Sequence, residues 1–258
     1  MRLSTIFSAS CAVAIAALTA LPAAAQERSL NFAIRGGVAA APAYPGSDDY
    51  EAAPDLGFTF GALRFDRLSL GTGIGVIPDN GFGVRGAFRY IGERDDADYP
   101  VLSGLNDVDA TLELGLGLIY RQTNYQAFVD VRKGFGGHDG VTGTVGTDAI
   151  FRPDNRWTIF AGPRLHLGDS EYSSTYFGVT PAEAAASSFS AFDADGGVLG
   201  AGFDVQAIYR ISDDWAAEGL VSYEKLVEDA GDSPITAVGS EDQWRVRIGL
   251  SRAFTLRF

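Results

Sequence analysis

Residues 198–224 read V-L-G-A-G-F-D-V-Q-A-I-Y-R-I, then Ser212-Asp213-Asp214, then W-A-A-E-G-L-V-S-Y-E. Before the turn, Leu199, Ala201, Phe203, Val205, Ala207 and Tyr209 share one face, with Gly200, Gly202, Asp204, Gln206 and Arg210 on the other. After it, Trp215, Ala217, Gly219, Val221 and Tyr223 alternate with Glu218, Ser222 and Glu224. Successive side chains of an extended chain point to opposite sides, so a period of two marks a strand. Two such runs about a short polar turn make a hairpin. Each arm runs to roughly ten residues, against a usual strand of about five or six. One face is apolar and the other carries charge and glycine, the pattern expected with hydrocarbon outside and a polar lumen inside.

The same unit recurs along the chain. Leu30, Phe32 and Ile34 alternate with Asn31, Ala33 and Arg35. Leu56, Phe58 and Phe60 mark a second strand; Leu68, Leu70, Ile74 and Val76 mark a third, which ends at the turn Pro78-Asp79-Asn80-Gly81. Phe82, Val84, Phe88 and Tyr90 then oppose Arg85 and Arg89, and Leu112, Leu114, Leu116, Leu118 and Tyr120 oppose Thr111, Glu113, Gly115 and Gly117. Residues 125–135 carry Asp130 and Arg132 on the polar face, 141–151 and 157–167 form a hairpin about Pro153-Asp154-Asn155, and 244–258 make the last strand. About eleven strands are visible, whereas bacterial single-chain barrels have an even number. The expected fold is an all-β, closed antiparallel transmembrane barrel of about 12 strands, with about 10 as the alternative. Either residues 50–77 hold a different number of strands, or residues 235–238 pair as a short extra strand.

Ahead of the barrel, Arg2, the apolar run 11–21 and Ala23-Ala24-Ala25 have the three parts of a secretory signal peptide. The expected organisation is a cleaved segment at 1–25 and one barrel domain over 26–258. Cleavage removes Cys11, the single cysteine, and with it any disulfide chemistry. It also removes one arginine and no acid, moving the formal charge from −13 to −14. Such an acidic chain is a poor partner for nucleic acid. No later segment stays apolar for the ~18 residues of a membrane helix.

Connections alternate between short and long, as periplasmic turns and external loops do in outer-membrane barrels. Tyr120 and Tyr125, Phe151 and Trp157, and Tyr209 and Trp215 each bracket a short turn and are expected to form an aromatic girdle at the periplasmic interface. Alternation sends Arg35, Arg85, Arg89, Arg132, Arg164, Arg245 and Arg247 into the lumen, with Glu113, Asp130, Asp148, Asp204, Glu218 and Glu224. Opposite charges there either pair into a structural ladder or line a narrow channel. The long loop 168–197 carries Tyr172, Tyr176, Phe177, Phe189 and Phe192; so many aromatics imply a plug folded into the lumen, or a partner-binding loop. The short turns show no special composition.

For catalysis, His166 faces the lumen with Ser170 four residues on, and His138 lies in a glycine loop beside Asp139. Neither sits in a nucleophile motif, so His166 is read as a hydrogen-bonded lumen residue and His138 as an exposed loop residue. Asp95, Asp96 and Asp98, or Asp193 and Asp195, offer hard oxygen ligands without the spacing of a calcium loop, and are read as solvated. No catalytic residue, metal or cofactor is expected.

Several pieces together resemble the MltA-interacting protein (MipA/OmpV) family of outer-membrane proteins. They are Tyr44-Pro45-Gly46-Ser47-Asp48, Gly104-Leu105-Asn106-Asp107 leading into Ala110-Thr111-Leu112-Glu113, and Gly136-Gly137-His138-Asp139-Gly140. Gly162-Pro163, Tyr176-Phe177-Gly178-Val179, Pro181 with the alanines after it, and Asp232-Ser233-Pro234-Ile235 follow in the same order. The chain departs from the family at its end, where Ala253-Phe254 is followed by Thr255-Leu256-Arg257-Phe258. The resemblance implies a Gram-negative outer-membrane barrel without catalysis, set among lipid and lipopolysaccharide. It further implies a scaffold joining murein hydrolase and synthase proteins, with a small pore or a surface adhesin as alternatives. Phe258 resembles the terminal aromatic signal read by barrel-assembly machinery.

Overall fold

The computed structural model describes residues 28–65, 68–71 and 80–258. The expected signal peptide therefore lies outside the described residues, as do Pro78 and Asp79 of the Pro78–Gly81 turn and the Ile74 and Val76 end of the third expected strand. One antiparallel sheet contains every strand: β1 (Ser29–Pro42), β2 (Tyr50–Phe65), β3 (Leu68–Leu70), β4 (Gly81–Ile91), β5 (Thr111–Arg121), β6 (Tyr125–Gly136), β7 (Val141–Phe151), β8 (Trp157–Gly168), β9 (Gly197–Arg210), β10 (Trp215–Leu226) and β11 (Asp242–Arg257). Each strand pairs with the next in sequence from β4 to β11, and β11 then pairs with β1, from Ser29↔Arg257 to Ala40↔Val246. β3 is a stub on β2. Past it, β2 approaches β4: a Cβ added to Gly86 would lie 3.9 Å from the Phe58 ring. The result is a nearly closed barrel of ten long strands.

Ten matches the smaller expectation and not twelve. Residues 235–238, the candidate extra strand, belong instead to helix α4 (Pro234–Val238). The local reason is chemical: Pro234 presets the first helical turn, and the Ser233 side chain accepts a hydrogen bond from Ile235 N–H at the N-cap.

The barrel is turned inside out relative to a water-soluble protein. Along β5, Leu112, Leu114, Leu116 and Leu118 are exposed, Leu116 by 68%, while Thr111 and Glu113 between them are buried. Along β7, Val141 and Val145 are exposed and Thr142, Thr144 and Asp148 buried. Apolar surface on this scale is unstable in water, and in hydrocarbon it is the favoured face. The chain is an outer-membrane barrel. Among the described residues no helix is long and apolar enough to cross a membrane.

Candidate functional site

The lumen is crossed by a ladder of ion pairs. Arg35 Nε lies 2.8 Å from Asp55 Oδ2 and its Nη1 3.5 Å from Glu218. Arg164 bridges Asp148 at 2.7 Å and Asp204 at 3.0 Å. Arg85 faces Asp130 at 3.3 Å and lies over the Phe128 ring. Glycine makes this geometry possible: a Cβ on Gly57 would strike the Arg35 guanidinium, and one on Gly117 would strike the Asp130 carboxylate. Asp55, which the sequence reading left out, joins this ladder through Arg35.

Glu113 is the hub at the long-loop end. Its Oε2 accepts from Arg132 Nε at 2.9 Å and Thr142 Oγ1 at 3.1 Å, and its Oε1 lies 3.4 Å from His138 Nε2. His138 is wholly buried, correcting its reading as an exposed loop residue. Its Nδ1 accepts from Gly140 N–H at 3.0 Å, which puts the ring proton on Nε2, toward Glu113. The ring also packs edge-on against Tyr172 and Tyr176. His166 hydrogen-bonds Thr144 at 3.3 Å and stands 3.9 Å from Glu224, as its lumen reading anticipates; Ser170 is exposed on the loop side.

Five loops close over that end. Helix α1 (Ser170–Phe177), capped by Asp169, and helix α2 (Pro181–Ala186), capped by Thr180, fold the longest of them. Tyr172, Tyr176 and Phe177 are buried with Ile91, Val108, Leu199, Leu226 and Ala230, the last from helix α3 (Glu228–Asp232). Phe189 is buried in a second cluster with Tyr44, Tyr99, Leu102 and Ile235, and half-buried Phe192 packs against both. Tyr172, whose ring faces Arg89, and Phe177 reach down to the space below; the other aromatics form a lid over the mouth. Polar anchors reinforce it. Arg94, buried, donates to the carbonyls of Tyr176 and Thr175. Burial and the Glu51 acceptor 2.7 Å away push the Tyr99 phenol above its ordinary range. Burial alone would raise the Glu183 carboxyl, but donors from Asn106 N–H and from Thr180 N–H and Oγ1 outweigh it and hold the group below the usual carboxylate value. Beneath the lid, Arg89, Arg132, His166, Tyr172, Glu224 and Gln243 bound a cavity of about 30 Å³.

Charge is divided between the two ends. Arg94 is the single Lys or Arg in the lid loops 43–49, 92–110, 137–140, 169–196 and 227–241, all of which carry acids. Glu93, Asp95 and Asp98 cluster there, with Asp95 accepting from Asp98 N–H. At the other end Arg121, Arg152, Arg156, Arg210 and Arg252 flank the short turns. Arg121 and Arg210 end β5 and β9, Arg152 and Arg156 lie in the turn between β7 and β8, and Arg252 stands on β11 opposite Trp215. The anticipated aromatics stand at this rim: Tyr120 is 6.4 Å from Tyr125, Trp157 is 4.9 Å from Tyr209, and Phe151 and Trp215 are exposed. A second ring of exposed aromatics, Tyr50, Tyr90, Phe135 and Trp244, lies at the strand ends under the lid. Its members do not bracket short turns, so that search missed them.

The family model for MltA-interacting protein MipA matches residues 34–254. No curated protein matches the chain by sequence. Among solved structures, the NanC porin aligns with TM-score 0.40 and 9% identity over 86% of this chain and 98% of its own. An outer-membrane channel from Pseudomonas putida F1 aligns with TM-score 0.41 and 12% identity over 94% and 100%.

Proposed function

The chain belongs to the MltA-interacting protein MipA family, and on that premise we propose that it is a non-catalytic scaffold that docks murein hydrolase or synthase proteins at the outer membrane. The observation that carries this reading is the closed mouth at the long-loop end. The lid buries its aromatics over that mouth, ion pairs cross the lumen, and the cavity just beneath the lid has room for little more than a water molecule or two. A barrel closed this way offers surfaces to partners more readily than a passage to solutes. The rim toward the periplasm carries Arg152, Arg156, Arg210 and Arg252, which suits an acidic partner surface and electrostatic steering. The test is capture by the detergent-solubilised chain. Murein hydrolases or synthases should be retained from envelope extract, and the double variant R156Q/R210Q should retain several-fold less. Retention of none would leave the second reading, a narrow channel. The partly accessible inward residues of β9, β10 and β11 favour that one, and single-channel steps in a planar bilayer would establish it.

A further inference from the structure

The seven inward arginines fall into two groups. Arg35, Arg85, Arg132 and Arg164 each have a carboxylate oxygen within 3.5 Å. Among the described residues, Arg89, Arg245 and Arg247 have none within 4.0 Å. The carboxylates around them are engaged elsewhere: Asp55 with Arg35 at 2.8 Å, Asp204 with Arg164 at 3.0 Å and Ser222 at 2.6 Å, Glu218 with Arg35 at 3.5 Å. Glu224, whose charge acts on Arg89 and Arg245, faces His166 at 3.9 Å. Arg245 lies in the fields of both Arg89 and Arg247, each of which repels it. Arg247 Nε is also cut off from solvent with no acceptor, a cost that an incoming acceptor would remove.

The wall around them is built of small residues. Inward positions beside Arg245 and Arg247 on β1 and β11 are Gly37, Ala39, Gly249 and Ser251, whereas β5, β6 and β7 fill their side of the lumen with Glu113, Arg132, Thr142 and Thr144. Alternate residues of one strand stand about 7 Å apart on one face. Two arginines whose Cα atoms are so spaced can turn their guanidinium forks onto one phosphate-sized anion, since the planar fork donates two parallel hydrogen bonds to an oxyanion. We propose that Arg245 and Arg247 of β11, with Arg89 nearby, form a binding site for a small oxyanion, a phosphate or carboxylate group, in the less crowded half of the lumen.

This site stands apart from the scaffold reading, and its test needs no partner protein. The purified chain in detergent is titrated with sodium phosphate, and separately with sodium acetate, against sodium chloride at matched ionic strength, by calorimetry and thermal unfolding. Saturable heat and a raised melting temperature with phosphate or acetate beyond chloride are expected; which anion is tighter assigns the class. R245Q/R247Q should weaken binding at least tenfold, whereas Lys133→Gln, on the exposed outer face, should leave it unchanged. Should the double variant not fold, R247K keeps the charge and loses the fork, and binding should weaken several-fold. Equal responses to all three salts, or undiminished binding in the folded variants, would overturn the site.

Discussion

Glu113, on the barrel wall, and His138, in a loop, meet with Oε1 3.4 Å from Nε2, and neither side chain has exposed surface. This contact ties the lid to the ladder of charges below it, because Glu113 also holds Arg132 and Thr142. Removing the carboxylate leaves a buried cation without its counter-charge, a loss of roughly 3–5 kcal/mol. Glu113→Ala should therefore lower the urea midpoint of the detergent-folded protein sharply. Glu113→Gln, which keeps an acceptor, should cost about 1–3 kcal/mol. Equal midpoints for wild type and Glu113→Ala would remove the hub from the account.

Tyr172 is 1% exposed and reaches from the lid into the space beneath. Truncation to alanine leaves a void worth about 3–5 kcal/mol by analogy with large aromatic deletions. The lid should loosen while the strands persist. Thermolysin should cut within residues 169–196 at least tenfold faster, with the circular dichroism of the barrel unchanged.

Acid should release the same lid. The folded Glu183 carboxyl titrates below its ordinary value of 4.5 because Asn106 and Thr180 donate to it. Its contribution is therefore complete above about pH 4.5 and is lost as pH falls through the lower folded value. The protection of amides at residues 100–110 and 178–190 from hydrogen exchange, relative to the intrinsic rate at each pH, should fall between pH 5 and pH 3. In Glu183→Gln the exchange should already be fast at pH 7, with its acid step gone.

Leu116, at mid-strand and 68% exposed, reports what the outer face touches. Leu116→Arg should cost about 2–4 kcal/mol in refolding into lipid vesicles, the penalty of a charge at the bilayer midplane. Neutral or improved stability there would mean that the face meets water.

Phe258 is 66% exposed, and its backbone N–H bonds Arg28 O at 3.1 Å. Phe258→Ala keeps that backbone bond and should refold in detergent as well as wild type. Read in cells as a terminal signal, the same change should reduce the amount assembled in the outer membrane several-fold. A defect in detergent as large as that in cells would make the residue structural.

The strands and the direction of each lumen side chain were legible because period two depends only on neighbours in the chain. Arg35, Asp130 and Glu218 needed nothing more. His138 was misread because its burial is created by Tyr172 and Tyr176, more than thirty positions away, meeting it over the mouth. The strand count failed at 235–238, where the proline start and serine cap of α4 were legible but outweighed by parity. Which arginines lack carboxylates was not legible either, since Asp55 and Arg35 meet across β1 and β2 by register rather than by sequence distance.

The pairing of β1 with β11 brings Asn31 beside Phe254, 223 positions away. A polypeptide emerging from its N-terminus therefore cannot finish the seam until its final strand has been delivered. Until then β1 carries an unsatisfied hydrogen-bonding edge, open to wrong partners. The chain must be shepherded across the periplasm in an unclosed state, and a stop before residue 242 would strand it there as a substrate for proteases.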